Sequence, residues 1–168
     1  WTRSDLAKVL PDGSTALSYE EDLVQKIQPD KLAEEMEQNS KGLSLPGWEP
    51  ERLKHLKKLF DLYKGVDEEK LFENLRYFLE KIIPTAESCD MAIHPDDPPW
   101  SIFGLPRIVT NKENLERIIN LVDSPYNGLT LCSGCLGANP QNNIPEMIRY
   151  FGSKGRIHFA HVRNIRIH

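Results

Sequence analysis

An α/β fold with a parallel sheet is predicted for this chain by three observations. Short apolar runs alternate with loops and helical patterns between residues 89 and 168, the rhythm of strand-helix crossover units. Three of those runs stop at a residue able to ligate a metal, at His94, Cys132 and His161, spaced 38 and 29 residues apart, about one strand-helix unit each. In a parallel sheet all strands point the same way, so residues at their C-terminal ends converge on one face. The third observation is bulk composition: 168 residues, 39% hydrophobic and 27% charged, is enough ordinary globular chain for one sizeable core, and a single domain is expected over 1–168.

Taken in order, Trp1-Thr2-Arg3-Ser4 reads as the end of a strand whose beginning lies outside the sequence, and Pro11-Asp12-Gly13 is a turn signal. Ala16 to Tyr19 reads as a short extended piece. The region 13–83 is otherwise mainly helical. Pro29-Asp30 precedes KLAEEMEQN, with Leu32, Ala33 and Met36 as a buried stripe and acids near its start, where the helix dipole favours them. Gly42 to Pro50 is a connector, and Pro50 suits the first turn of the next helix, on which Leu53, Leu56, Leu59, Phe60 and Tyr63 recur at helical spacing. Val66-Asp67 opens a further helix whose apolar face comprises Leu71, Phe72, Leu75, Phe78, Leu79 and Ile82 and ends at Pro84. Amphipathic packing accounts for these stripes, and they imply no cofactor box.

From residue 89 the units carry chemistry. Met91-Ala92-Ile93 is a short buried strand delivering His94 to a loop fixed by Pro95, Pro98 and Pro99, where each proline also restrains the residue before it. A helix follows over Lys112 to Val122. Gly128 to Leu131 is the second strand, ending at Cys132, with a helix over Ile144 to Phe151; Arg156 to Ala160 is the third, ending at His161. Alternation of side chains puts Ala92 with His94 and Thr130 with Cys132, and turns Ile93 and Leu131 to the helix-covered face. In the third strand parity pairs either His158 with Ala160 or Phe159 with His161 and does not choose; position at the strand end favours His161. The chain stops after Asn164 to His168, where a loop and helix are expected, so it reads as an internal fragment.

Charge and cysteine usage exclude several classes. A net charge of −4 supplies no basic field for nucleic acid or an anionic membrane. No apolar run approaches the roughly 20 residues of a membrane span, and WTRSDL does not resemble a signal peptide, so a cytoplasmic protein is expected. Three cysteines do not make a disulfide framework. Cys132-Ser133-Gly134-Cys135 spells a CxxC, but Cys89 stands alone and a structural zinc needs a second pair. For each candidate there is a plain alternative: a strand-end histidine is often only hydrogen-bonded, a free cysteine is often a small buried apolar group, and an arginine often braces a loop. It is their recurrence at equivalent points of three units that favours a metal.

The runs HPDDPPWSIFGLPRIVTN (94–111), DSPYNGLTLCSGCLGANPQNNIPEMIRYFG (123–152) and RIHFAHVRN (156–164), with the opening WTRSDLAKVLPDGSTAL, closely resemble the mannonate dehydratase family of hexuronate (glucuronate) breakdown. The resemblance spans almost the whole chain. It implies a (β/α)₈ TIM barrel of the xylose-isomerase-like type, only partly present here, and dehydration of D-mannonate to 2-keto-3-deoxy-D-gluconate. It also implies Mn²⁺, with Fe²⁺ as an alternative, held by His94, Cys132 and His161. A fourth ligand, an aspartate on the following strand, and the family's His and Tyr near the reacting carbons are expected beyond His168, so this chain alone is expected to have little or no activity. Two departures stand out. Thr85 to Asp90 is a residue or two shorter than the family pattern, and Cys135 replaces a small non-thiol residue. A Cys/His/His set suits zinc better than manganese on ligand softness, so Zn²⁺ is expected to bind and inhibit.

For the sugar-acid substrate, Arg3, Arg107 and Arg163 are candidates for the carboxylate, which a guanidinium meets bidentately, and Asp96, Asp97 and Asn164 for hydroxyls. A homo-oligomer is the expected assembly. Two other readings are a related barrel isomerase or epimerase of sugar acids, separated by a product formed without loss of water, and a non-catalytic fragment, separated by intact mass and a copurifying partner chain.

Overall fold

The computed structural model describes residues 7–18, 26, 31, 55, 58–102 and 104–166. The chain divides into two compact units, Trp1–Lys64 and Gly65–His168. In the first, β1 (Ala7–Val9) and β2 (Thr15–Leu17) pair antiparallel, Ala7 opposite Leu17. The turn between them is the one expected at Pro11-Asp12-Gly13: Asp12 Oδ1 accepts from the Ser14 amide and hydroxyl at 3.0 and 2.6 Å, and Gly13 takes a left-handed φ of 82°. The strand before the turn was not anticipated, since Ala-Lys-Val is exposed throughout and has no buried face to read. Residues 58–62 are helical, as the spacing of Leu59 and Phe60 predicts. Lys31, the first residue of KLAEEMEQN, is helical, and the rest of that predicted helix, the strand end at residues 1–4, the connector 42–50, Leu53 and Leu56 lie outside the described residues.

The second unit opens with α1 (Glu68–Ile82), capped by Asp67, whose Oδ1 accepts from the Lys70 amide at 2.8 Å. Phe72 and Leu79 are buried on its apolar face and Leu71 and Leu75 pack beside them. Phe78 departs from the prediction: it sits at the rim of the stripe and is 51% exposed. A 3₁₀ segment (Ile83–Ser88) with Pro84 in its first turn forms the junction to the sheet and buries Ile83 and Ala86.

The sheet consists of β3 (Met91–Ile93), β4 (Asn127–Cys132) and β5 (Ile157–His161), all parallel, in the order β3-β4-β5. Between them run α2 (Lys112–Leu121), a five-residue helix α3 (Ser133–Gly137) too short to be read from periodicity, and α4 (Ile144–Ser153). Asn111 and Asn143 cap α2 and α4 by accepting from the Asn114 and Glu146 amides. Leu115, Ile118 and Ile119 of α2 and Met147 and Phe151 of α4 bury against Leu129 and Leu131 of β4. The alternation thus holds: odd positions of β4 face the helices. Among the described residues, no helix is long and apolar enough to cross a membrane.

Asn127, fully buried at the start of β4, closes the C-terminus of α2. Its Nδ2 donates to the Ile118 and Val122 carbonyls at 3.1 and 3.0 Å, the role a C-terminal glycine motif usually fills. Replacing it by alanine orphans those carbonyls. Asn127→Ala is expected to destabilise the fold by about 2 kcal/mol in urea unfolding.

Candidate metal centre

His94 follows β3 directly, and Cys132 and His161 are the last residues of β4 and β5. Because Cys132 is the register partner of His161, their side chains leave the same face of neighbouring strands. His94 Nε2 lies 3.2 Å from His161 Nδ1, Cys132 Sγ lies 3.5 Å from the same nitrogen, and the three donor atoms all fall within 4.8 Å of one another. Among the described residues this is the group able to hold a metal. Donors around a tetrahedral ion with bonds of about 2.1 Å to nitrogen and about 2.3 Å to sulfur stand about 3.4 Å apart for two nitrogens and about 3.6 Å for nitrogen and sulfur. The two separations measured from His161 Nδ1 therefore suit a small divalent ion.

The surroundings prepare the donors for that role. His94 Nδ1 donates to the Pro95 carbonyl at 2.8 Å, which fixes the tautomer and leaves the Nε2 lone pair turned toward His161. Burial pushes the Cys132 thiol up, but the amides of Cys135 and Gly134, the Cys135 thiol and the Arg163 charge outweigh it, and its pKa falls below the ordinary thiol value. Burial, together with the bond to Cys132 and the nearby Asp97, pushes Cys135 up to about 12, so this residue keeps its proton. Its Sγ lies 3.3 Å from that of Cys132.

The loops after the three strands are tied to one another. Asp96 exchanges two hydrogen bonds with Val109, accepting at Oδ2 and donating its own amide, each at 2.9 Å. Arg107 Nη1 donates to the Pro98 carbonyl at 2.8 Å. Both residues thus brace the loop that follows His94. Arg163 bridges all three loops: Nη2 meets Asp97 Oδ2 at 2.7 Å and Cys135 Sγ at 3.1 Å, and its backbone exchanges two hydrogen bonds with Ser133 Oγ. Asn164 is exposed beside it. Arg3 lies outside the described residues.

Ser133 and Gly134 were not singled out from sequence, though both stand inside the CxxC. A Cβ on Gly134 would come within 2.5 Å of Arg163 Nε, so only glycine lets the arginine lie down on α3. The signal that would have found them is the pair of small residues between the two cysteines. The CSGC run thus serves as one donor followed by a seat for Arg163. Asn142 clamps the same region from the other side, its Nδ2 donating to the Thr110 and Leu136 carbonyls at 2.9 Å each.

A parallel strand-helix sheet with a His-Cys-His group at its C-terminal edge defines an α/β protein equipped to hold a divalent metal. Residues 1–168 match the family model for D-mannonate dehydratase (UxuA), and the chain belongs to that family. It is 66% identical to a mannonate dehydratase of Thermotoga neapolitana over 99% of this chain and 47% of the relative, and 65% identical to one of Geobacillus thermodenitrificans over 100% of this chain and 46% of the relative. The crystal structure of mannonate dehydratase from Streptococcus suis serotype2 superposes with a TM-score of 0.75 at 41% identity, over 98% of this chain and 42% of that one. The chain therefore spans about half the length of the curated relatives it matches.

Two outcomes are expected at the bench. In the native chain a thiol reagent titrates exposed Cys89 quickly, whereas Cys132 and Cys135, both buried, react only on unfolding. Asp96→Ala, which leaves the Val109 amide without its acceptor, lowers stability by about 1.5 kcal/mol in the same urea assay.

Proposed function

We propose that this chain forms the metal-bearing part of a (β/α)₈ barrel of the xylose-isomerase-like type, a cytoplasmic enzyme that dehydrates D-mannonate to 2-keto-3-deoxy-D-gluconate in glucuronate breakdown. The reading rests above all on the meeting of His94 Nε2, Cys132 Sγ and His161 Nδ1 within 4.8 Å at one sheet edge, in a chain of this family. These three residues are the proposed ligands of Mn²⁺ or Fe²⁺. Residues 1–168 are proposed to belong to one barrel domain, and the enzyme to assemble as a homo-oligomer.

Dehydration of a sugar acid removes a weakly acidic proton beside a carboxylate and expels a hydroxyl, so negative charge develops on the substrate as the proton leaves. His94, Cys132 and His161 would hold a divalent ion, which would supply the positive charge that stabilises it. The chain's own residues do the rest of the positioning. His94 is held in one tautomer by Pro95, and Cys132 is biased toward the thiolate by the amides of α3 and by Arg163. Arg163, Asn164 and Asp97 border the donors from the loops and are the proposed contacts for the substrate's carboxylate and hydroxyls. Arg107 and Asp96 are proposed to act in the same region while bracing the loop after β3, and Arg3 completes the set of candidate contacts.

The test is Mn²⁺-dependent formation of 2-keto acid from D-mannonate by the full-length protein carrying this chain. Turnover is expected to fall by at least about a thousandfold in His94→Ala, since removing a ligand forfeits several kcal/mol of charge stabilisation. Added Zn²⁺ is expected to displace Mn²⁺ and inhibit, given the thiolate. A product that keeps its water would assign the chain to a sugar-acid isomerase or epimerase instead, and absence of any product from the full-length protein would overturn the reading.

A further inference from the structure

The pairing of β4 with β5 is irregular at one point. Leu129 pairs with Ile157, but Thr130 pairs with Phe159, so His158 is an extra residue in β5. Register has a period of two, and this single insertion decides which side chains share a face. Continued without it, the ladder would set Cys132 opposite Ala160 and turn His161 toward the helices. With it, Cys132 is opposite His161. The juxtaposition of two of the three donors is therefore a product of the bulge.

The bulge is held by His158 itself. Its ring lies over Gly128 of β4, where a Cβ would come within 2.2 Å of Nδ1, and it reaches across that strand to β3, where Nδ1 donates to the Met91 carbonyl at 2.5 Å. Because the partner is a carbonyl, Nδ1 carries the proton. One side chain thus fastens β5 to β3 over the backbone of β4, and glycine at 128 is the space it occupies.

We propose that His158 is a positioning residue for the metal centre: seated over Gly128 and bonded to Met91, it maintains the bulge that turns His161 onto the ligand face. The proposal rests on the metal reading of His94, Cys132 and His161. His158 is not among the converging donors, which are His94, Cys132 and His161.

Co²⁺ titration of the full-length protein tests this, because the thiolate-to-cobalt absorption band reports Cys132 while the intensity and position of the d-d bands report the remaining ligands. His158→Ala is expected to retain the thiolate band, to bind Co²⁺ at least about tenfold more weakly, and to acquire the d-d spectrum of His161→Ala. His158→Asn, which places an amide nitrogen near the position of Nδ1, is expected to recover most of the affinity and the original spectrum. Should His158→Ala prove unfolded by circular dichroism, His158→Phe takes its place, keeping the ring over Gly128 without the donor, with the same expected loss. A wild-type affinity and spectrum in the folded donorless variant would overturn the positioning role while leaving the metal reading intact. Failure of the wild-type protein to give a thiolate band would overturn the metal reading and this inference with it.

Discussion

Strand β4 is the constraint on which the rest depends. All six of its residues are buried, it has a parallel neighbour on each edge, and its two faces do different work. Leu129 and Leu131 enter the core against α2 and α4, where burying each side chain contributes about 2 kcal/mol. Thr130 and Cys132 take the opposite face, and Thr130 Oγ1 donates to the Ala92 carbonyl at 3.2 Å. Burying the Cys132 thiol carries a desolvation cost, which the amides of Cys135 and Gly134 offset at the site and the apolar face of the same strand offsets in the core. Since β3 and β5 both pair with β4, the place of His94 follows from its register and that of His161 from its register together with the irregularity in β5.

The loops around the donors gain their order from many modest contacts. The Asp96–Val109 pair, the Arg107–Pro98 bond, the Ser133–Arg163 exchange and the Asn142 clamp each contribute about 1 kcal/mol at most. Ion pairs farther out, such as Arg117 with Glu69 and Lys112 with Glu146, are exposed and add little to stability. The significance of the inner contacts is geometric: they hold three separate loops in one arrangement before any ligand arrives, which lowers the cost of binding one.

The strands and their polarity were legible because each apolar run is flanked by turn residues and ends in a residue of a different chemical kind, as at Ile93-His94 and Leu131-Cys132. Three equivalent endings at similar spacing were enough to bring His94, Cys132 and His161 to one edge. What stayed hidden depends on partners far away in sequence. Asp96 is committed to Val109 and Arg107 to Pro98, pairings that no local pattern announces. The ambiguity between His158 and His161 was real in the single strand, because a bulge exists only relative to the neighbour it mispairs with. Phe78 lay at the edge of its helical stripe, where a few degrees decide burial, and the exposed β1 carried no alternation at all.

Arg163 enters the site already engaged. Its hydrogen bond to Asp97 further favours the charged guanidinium, and the same nitrogen rests against Cys135. If Arg163 receives the substrate's carboxylate as proposed, that carboxylate meets a cation already paired through Nη2 and competes with Asp97 for it, so the affinity gained there is the difference between two ion pairs of the same kind. Such an exchange would be thermodynamically shallow, and in the proposed role the arginine would select geometry more than supply tight binding. It would also carry the event outward, because Asp97 belongs to the loop that begins at His94.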